Sequence, residues 1–600
     1  MGAIDRPVPG EASSNKAWGS DAIAAALRQL DIPYVALNPG ASYRGLHDSL
    51  VNYLGNEKPQ MLLCLHEESA VAIAHGWAKV TEKPMAAVVH SNVGLMHATM
   101  AIFNIWCDRL PLILFGATGP VDAAKRRPWI DWIHTARDQG ALIRHYTKWD
   151  DQPASVAAAQ EAILRANLIA QTPPRGPVYI NLDAGLQEEA IPDMPALPDI
   201  SRYAPPPAPT VAPDVARRAA ELLVKAERPV IMMGRVSREP EAWKRRVELA
   251  EALGAKVLTT LKASAAFPTD HPLHAAPPGT FMTPAANEVL TSADVILALD
   301  WVDLGGALKG AYGAKPVTAK VIQVSVDQYV HNGWSMDHQG LPPVDLHVLT
   351  EPDVAVPPLL AAIKALRPTA PKLPAAPARH SAPPLSALDT AKVIEVPMMA
   401  TALKTALAGA DICIIRTPLS WGGHLWDFRH PLEYLGGDGG GGVGAGPGNA
   451  VGAALALRGS GRLPVAMIGD GDFLMGNTAL WTAAHYEIPV LILVANNRSF
   501  FNDELHQERV AKVRSRPVEN RWIGQQIREP DIDLAAMARA QGCVGIGPVE
   551  DPRQLVAAIR DGIATVRQGK PCVVDIRVAT GYDPTTTSGM QQTAKQPDRG

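Results

Sequence analysis

The sequence has few of the features that mark exported, zinc-bound or membrane proteins. Its five cysteines are an odd number without close pairs, so they form neither a zinc pattern nor a disulfide framework. No apolar run reaches the length of a membrane span, and residues 1–16 are polar and lack the apolar core of a signal peptide. The net charge of −4 gives no reason to expect a nucleic-acid or membrane surface. We therefore expect a cytoplasmic protein that binds neither nucleic acid nor a membrane.

The composition is that of a globular protein with several domains: 600 residues, of which 47% are hydrophobic and 19% charged. Strand-length apolar runs alternate with helix-like segments, which predicts α/β domains built on parallel sheets. The predicted organisation is a disordered leader at 1–16, a first α/β domain at 17–191, a linker at 192–213, a central α/β domain at 214–366, a Pro/Ala-rich linker at 367–392, a third α/β domain at 393–578, and a flexible tail or lid at 579–600.

A strand–helix–strand unit in the third domain contains the most specific pattern. Residues 463–468 and 490–495 are apolar runs of strand length, and alanine and leucine recur at roughly helical spacing between them. Asp470 and Asn497 follow the two predicted strands. Because open α/β sheets bind ligands at the carboxyl ends of their strands, we expect both side chains to face one site.

These side chains offer oxygen ligands, and the backbone carbonyl of Ser499 is a candidate third. Such hard ligands suit Mg²⁺ or Ca²⁺ and are poor ligands for zinc; Mg²⁺ completes its octahedron with phosphate oxygens and water. Gly469 and Gly471 let the backbone approach a phosphate, which the N-terminus of the following helix favours. The stretch therefore predicts a metal–diphosphate clamp, and the alternative is an ordinary βαβ crossover with a glycine-rich turn.

Gly-Asp-Gly at 469–471, then twenty-four residues, then Asn-Asn at 496–497 resembles the motif of thiamine diphosphate (ThDP) enzymes. With its three α/β segments, nearly the whole chain is similar to the pyruvate oxidase-like group, which includes acetolactate synthase, benzoylformate decarboxylase and pyruvate decarboxylase. The resemblance implies a pyrimidine-binding first domain, a central domain and a diphosphate-binding third domain. It also implies that the cofactor bridges two subunits, so that a homodimer is the minimum active unit and a homotetramer is usual.

The resemblance implies a carboxylate that activates the cofactor. In the family a glutamate at the end of a first-domain strand contacts N1′ of the aminopyrimidine. The segment from His66 to Ala70, followed by Gly-Trp-Ala, is similar to that pattern and assigns the role to Glu67. Glu68 is the alternative one residue on. Both glutamates could instead simply open a helix, where negative charge is favoured.

Further cofactor contacts are implied in the third domain. Val443, after four glycines, takes the position of the bulky residue that presses the thiazolium against the pyrimidine, although a bare glycine loop is the alternative. Asp472 stands where many relatives have Ser, so its carboxylate has to face the metal's water shell or a cation. The implied cofactor-binding residues are Glu67, Thr417, Gly441, Val443, Gly471, Asp472, Phe473, Asn497 and Ser499, with Asp470, Asn497 and Ser499 as metal ligands.

His90 is the second candidate catalytic residue. The stretch 87–94 resembles a segment of benzoylformate decarboxylase whose histidine faces the reacting carbon, and a histidine can shuttle a proton near neutral pH. The alternative is a histidine of the core. Candidate substrate contacts, from the same resemblance, are Ser42, His97, Phe501, Asp503 and His506.

The resulting hypothesis is a ThDP- and Mg²⁺-dependent enzyme that decarboxylates a 2-oxo acid through an enamine intermediate. Protonation would make it a decarboxylase, and ligation to a second carbonyl an acetolactate synthase-like carboligase. One alternative is a C–C lyase of a 2-hydroxy ketone or a 2-hydroxyacyl thioester; another is a non-catalytic cofactor-binding or regulatory protein. The central segment shows no Gly-x-Gly-x-x-Gly fingerprint, so FAD is not supported, although the sequence does not exclude it.

Overall fold

Each of the three predicted α/β segments contains its own parallel sheet, as a computed structural model of residues 4–8, 16–329, 340–376, 382–582 and 587 describes. Helices cover the sheets, and the central strands, such as 112–118, 295–299 and 491–496, are apolar and buried on both faces. This confirms the predicted fold class. Among the described residues, no helix is long and apolar enough to cross a bilayer.

The first domain has a six-stranded sheet and a short antiparallel pair that the sequence did not predict. Its strands are β1 (Ala17–Trp18), β2 (Tyr34–Leu37), β3 (Gln60–Leu63), β4 (Ala86–Val88), β5 (Leu112–Thr118), β6 (Trp149–Asp151), β7 (Pro177–Asp183) and β8 (Ala190–Ile191). Its helices are α1 (Gly19–Gln29), α2 (Arg44–Asp48), α3 (Glu67–Thr81), α4 (Ser91–Asp108), α5 (Val156–Gln171) and α6 (Ala184–Gln187). The sheet order is β3-β2-β4-β5-β7-β6, and β1 pairs with β8.

The central domain has a five-stranded sheet in the order β10-β9-β11-β12-β13. These strands are β9 (Pro229–Met233), β10 (Lys256–Leu258), β11 (Val295–Leu299), β12 (Lys320–Val324) and β13 (Leu346–Val348). The helices are α7 (Pro213–Lys225), α8 (Pro240–Leu253), α9 (Pro284–Ser292), α10 (Leu304–Tyr312) and α11 (Pro352–Leu366).

The third domain has a five-stranded sheet in the order β14-β15-β16-β18-β17. These strands are β14 (Ile412–Arg416), β15 (Leu463–Gly469), β16 (Leu491–Asn496), β17 (Val544–Val549) and β18 (Cys572–Arg577). The helices are α12 (Ala387–Thr390), α13 (Val396–Leu407), α14 (Gly446–Ala456), α15 (Asp470–Gly476), α16 (Ala479–His485), α17 (Phe501–Val513), α18 (Leu534–Ala540) and α19 (Leu555–Arg567).

The predicted crossover between β15 and β16 is two short helices, α15 and α16, rather than one. The Asn477 side chain donates to the Leu474 carbonyl at 2.7 Å and so takes up a carbonyl near the end of α15. Gly476 lies so close to Gly444 that a Cβ there would be 1.9 Å from the Gly444 carbonyl oxygen. The end of α15 therefore packs directly against the glycine loop.

Helices α3 and α14 join the first and third domains through glycine contacts. A Cβ on Gly76 would lie 2.2 Å from the Asn449 carbonyl oxygen, and one on Gly452 would lie 1.9 Å from the Ile73 carbonyl oxygen. Only glycine permits such close backbone approach. The helix that begins at Glu67 is thereby packed directly on the helix that follows the glycine loop.

The predicted leader and the second predicted linker are in part more ordered than expected. Within the predicted leader, the Asp5 carboxylate accepts from the Tyr486 hydroxyl at 2.8 Å, so this part contacts the third domain instead of being disordered. The second linker, expected to be structureless, contains α12, where local backbone hydrogen bonds close a short turn. Residues 1–3 and 9–15 of the leader, 377–381 of the linker, and 583–586 and 588–600 of the tail lie outside the described residues.

Candidate functional site

Asp470 and Asn497 are brought together at the carboxyl ends of adjacent strands. Gly469 of β15 pairs with Ala495 of β16, so the residues that follow each strand are neighbours. Asp470 is 4% exposed, and its Oδ2 atom is buried without a hydrogen-bond partner among the described residues. Burial raises the pKa of Asp470 to about 6, against the opposing effect of nearby backbone amides such as that of Ser499. A buried carboxylate oxygen left without a partner fits a bound cation.

The turn after β16 is held by its own side chains. Asn497 Oδ1 accepts from the Ser499 amide at 2.9 Å, and the Ser499 hydroxyl donates to the buried Glu504 carboxylate at 2.5 Å. The turn that would present the Ser499 carbonyl to a metal therefore has a defined shape. Glu504, which holds it from α17, was not identified from the sequence.

The glycine loop before α14 leaves open backbone toward the same site. Gly441 and Gly444 have φ angles of 70° and 114°, a region that glycine adopts without strain. No atom lies within 4 Å of a Cβ position built on Gly441, whereas Gly440 and Gly442 press against the Met100 side chain of α4. Val443 is 42% exposed. An open backbone surface beside an exposed apolar side chain fits the predicted cofactor contacts at Gly441 and Val443.

Asp472, for which the sequence indicated no definite partner, holds the glycine loop before α14 and is paired with a cation. Its Oδ1 accepts from the amides of Gly444 and Gly446 at 2.6 and 3.2 Å. Its Oδ2 pairs with Nε of Arg416 at 3.0 Å, and that guanidinium also pairs with Asp438. The carboxylate thus faces a cation, one of the two expectations. Only the fold reveals that cation, because Arg416 ends β14, more than fifty residues earlier.

A cavity of about 950 Å³ opens at this corner and extends to the central domain. It is bounded by α17 and by Tyr582, whose ring meets Phe501 edge-on with centroids 5.3 Å apart. Whether the rest of the tail acts as a lid stays a prediction. The predicted residues that line the cavity are Thr417, Gly441, Val443, Asp470, Gly471, Asp472, Asn497, Ser499, Phe501 and Asp503.

Two residues predicted in the third domain do not line the cavity. The Phe473 side chain is completely buried in the core between the first and third domains, because the turn of α15 directs it away from the tip of β15. The predicted cofactor contact of Phe473 stays a prediction, and its side chain does not face the cavity. His506 lies on α17 beyond residues 501–503, which line the cavity, and its predicted substrate contact also stays a prediction.

Glu67 and Glu68 begin α3 but face different surroundings. Glu67 is 6% exposed, and its Oε2 lies 3.1 Å from Nδ1 of His97 on α4. Glu68 faces the third domain of the same chain: burial raises its pKa, as does the Asp472 charge. The His66 side chain accepts from the Glu68 amide at 3.1 Å and caps the helix. Of the two carboxylates, Glu67 is the one paired with a histidine.

His90 follows β4 and lies in a small polar cluster. Its Nδ1 is 2.8 Å from the Ser42 hydroxyl, and its ring meets that of His134 edge-on with centroids 4.7 Å apart. Burial, and secondly the His134 charge, lower the pKa of His90. His134 was missed from the sequence, since it lies in an irregular segment without a motif. Ser42 and His90 were both predicted, and the fold brings them into contact.

The two groups of residues lie apart within one chain. Among the described residues that line the cavity, none is Ser42, Glu67, His90 or His97. The first-domain group therefore does not complete the cavity of its own chain. A shared site, as predicted, would join it to the third domain of a second copy.

Comparison with known proteins identifies three domains of one enzyme family along the chain. The models of the N-terminal TPP binding domain, the central domain and the C-terminal TPP binding domain of thiamine pyrophosphate enzymes match residues 17–173, 216–333 and 417–576.

Two curated relatives and one solved structure illustrate the similarity. The chain is 26% identical over 506 residues to a probable acetolactate synthase large subunit of Methanocaldococcus jannaschii, covering 80% of each chain. It is 25% identical over 538 residues to benzoylformate decarboxylase of Pseudomonas aeruginosa, covering 86% of this chain and 92% of the relative. The structure of benzoylformate decarboxylase from Polynucleobacter necessarius superposes with a TM-score of 0.76 at 20% identity, covering 94% and 99% of the two chains. With three family models matching in order along most of its length, the chain belongs to the thiamine pyrophosphate enzymes.

Proposed function

We propose that this protein is a ThDP- and Mg²⁺-dependent enzyme that decarboxylates a 2-oxo acid, with protonation or ligation to a second carbonyl as the following step. The observation that supports it most directly is the buried, unpartnered oxygen of Asp470 beside Asn497 at the mouth of a glycine-lined cavity. Bound ThDP would supply the electron sink that stabilises the charge left on the substrate when CO₂ departs.

The third domain would hold the charged end of the cofactor. Asp470, Asn497 and the Ser499 carbonyl would ligate Mg²⁺, and Thr417 with the backbone of Gly471, both of which line the cavity, would meet diphosphate oxygens. Arg416, which pairs with Asp472, would offset the repulsion between that carboxylate and the diphosphate.

The first domain would manage protons. Glu67, paired with His97, would contact N1′ of the pyrimidine in the partner subunit's site and exchange a proton with it. His90, whose pKa is lowered by burial and which contacts Ser42, would give or take a proton at the reacting carbon. Since these residues do not reach the cavity of their own chain, a homodimer or homotetramer with shared sites is the active form.

The experiment is to load the protein with ThDP and Mg²⁺ and to incubate it with a panel of 2-oxo acids, with and without aldehydes. Release of CO₂ with an aldehyde product would identify a decarboxylase, and a hydroxyketone product a carboligase. Circular dichroism during cofactor titration would show binding independently. A protein that binds ThDP and consumes none of the 2-oxo acids would contradict the proposed reaction.

A further inference from the structure

The cavity reaches beyond the diphosphate corner and has an unusual distribution of charge. Seven basic side chains line it. Six of them form ion pairs with carboxylates: Lys79, Arg109, Arg175, Arg235, Arg238 and Arg416. The seventh, Lys262, has no carboxylate within ion-pair distance in the part of the chain that the structure describes. Among the described residues, Lys262 is therefore the one basic side chain of the cavity lining without an ion-pair partner.

The carboxylate with the strongest influence on Lys262 is engaged elsewhere. Burial lowers the pKa of Lys262, and the charge of Asp303 partly opposes this shift. Asp303 Oδ1, however, accepts from the Gly306 amide at 2.8 Å and caps α10. Lys262 is exposed on the cavity wall, and an ammonium group there without its own ion-pair partner can bind an anionic ligand.

Two hydroxyl groups line the cavity close to Lys262 in the fold. Thr280 follows Gly279, whose carbonyl accepts from the Leu261 amide at 3.1 Å, so Lys262 and Thr280 lie on adjacent segments. Ser264 is two residues beyond Lys262 and is buried. Both hydroxyls are free of side-chain hydrogen bonds within the described ranges and can donate to a carboxylate.

The same segments are fastened to the proposed catalytic corner. The Gly437 amide donates to the Leu261 carbonyl at 3.2 Å, immediately before the glycine loop that presents Val443. On the other side, Phe281 packs in a cluster with Phe501 and Tyr582 at the start of α17. Lys262 therefore faces the same cavity as the proposed metal and wedge residues, from the wall of the central domain.

We propose that the substrate is a 2-oxo dicarboxylic acid, whose distal carboxylate binds Lys262 and the hydroxyls of Ser264 and Thr280. This rests on the proposed decarboxylase function and adds the class of substrate. The bond between C1 and C2 breaks, C1 leaves as CO₂, and the electron pair stays on C2. A proton added at C2 then gives the semialdehyde, with the distal carboxylate unchanged.

Steady-state kinetics of the ThDP- and Mg²⁺-loaded protein would test the subsite with 2-oxoglutarate and 2-oxopentanoate, which differ in the distal carboxylate. We expect wild type to prefer 2-oxoglutarate. Lys262→Met should lower kcat/KM for 2-oxoglutarate by roughly 10- to 100-fold, the range for a hydrogen bond to a charged group. The same variant should change kcat/KM for 2-oxopentanoate by less than about threefold, because this substrate lacks the distal carboxylate. Its affinity for ThDP should be unchanged. Lys309 is an exposed lysine on α10 of the same domain, and Lys309→Met should change kcat/KM for neither substrate.

A second measurement is independent of turnover. Glutarate has both carboxylates and no carbonyl to react, so calorimetric titration of the loaded protein measures the anion subsite alone. We expect saturable glutarate binding to wild type and to Lys309→Met, and loss of binding in Lys262→Met. Equal glutarate affinity in wild type and Lys262→Met, or no binding to wild type, overturns the subsite.

The outcomes separate the two proposals. Consumption of 2-oxopentanoate without preference for 2-oxoglutarate supports the proposed function and overturns the dicarboxylate subsite. Consumption of neither acid, with Lys262-dependent glutarate binding, overturns decarboxylation of these acids and supports the anion subsite. Equal losses of both substrates in Lys262→Met would show a general structural effect and overturn the role of Lys262 in selecting the distal carboxylate.

Discussion

Two groups of site residues differ in how their charges are balanced: the first-domain group (Ser42, Glu67, His90 and His97) and the third-domain group (Asp470, Asp472, Asn497 and Arg416). The third-domain group is built from ions: Asp472 is paired with Arg416, and Asp470 keeps one buried oxygen free. In the first-domain group, burial lowers the pKa of His90, which contacts a hydroxyl, and Glu67 is paired with the half-exposed His97. The first arrangement suits the holding of a metal and a diphosphate, and the second suits the transfer of protons. Because the two groups lie apart within one chain, we predict that cofactor binding and proton transfer can be disabled independently.

The largest effect is expected from Glu67→Gln, which should disable proton transfer and leave binding largely intact. An amide cannot exchange a proton with N1′ of the pyrimidine, so H/D exchange at C2 of bound ThDP should slow by roughly 10²- to 10⁴-fold. ThDP affinity should fall only modestly, since most binding energy comes from the metal and the diphosphate. Exchange is measured by quenched-flow NMR. Glu68→Gln is the matched control and should leave exchange nearly unchanged; the reverse pattern would move the role to Glu68.

Asp470→Ala should produce the opposite pattern, with binding disabled. Removal of the charged ligand leaves the diphosphate charge poorly neutralised, so ThDP affinity measured with Mg²⁺ should fall at least tenfold, or about 1.4 kcal/mol. Titration calorimetry of the variant provides the measurement. Unchanged affinity for both ThDP and Mg²⁺ would show that the clamp has been assigned to the wrong residues.

Mixing the two inactive variants tests whether the groups meet across subunits. In a dimer of one Glu67→Gln chain and one Asp470→Ala chain, one site contains both substitutions and the other contains neither. Random reassembly should therefore restore about a quarter of wild-type activity, whereas each variant alone stays inactive. Activity is assayed after co-refolding or co-expression, and sedimentation gives the assembly state. An absence of recovery in verified mixed dimers would place both groups in one chain's site.

The smallest effect is expected from His134→Gln. The His134 charge helps to lower the pKa of His90, so its removal should raise that pKa. His90 would then become protonated at a higher pH on acidification, and the acidic limb of the kcat/KM profile should move to higher pH. NMR titration of His90 and the pH–rate profile provide two measurements. His145→Gln, an exposed histidine of the same domain, is the control and should move neither.

Much of the fold and of the third-domain group follows from local patterns. β15 and β16 begin and end within one residue of the predicted apolar runs 463–468 and 490–495, and Asp470 and Asn497 lie at neighbouring strand ends as expected. These features depend on alternation of strands and helices and on a motif shorter than thirty residues. Strands such as β6 and β13 were missed, because three residues contain too little periodicity to be recognised.

The sequence by itself determined the three parallel-sheet domains, the family resemblance and the positions of Asp470, Asn497, Glu67 and His90, because each is written in a continuous stretch of chain. Only the tertiary structure decided that Arg416 pairs with Asp472, that His134 meets His90, and that Lys262 lines the cavity with no ion-paired carboxylate among the described residues. These facts depend on side chains that are tens of residues apart in sequence or belong to different domains. Their pairing is set by strand order and interdomain packing, and no local pattern encodes a contact of that kind.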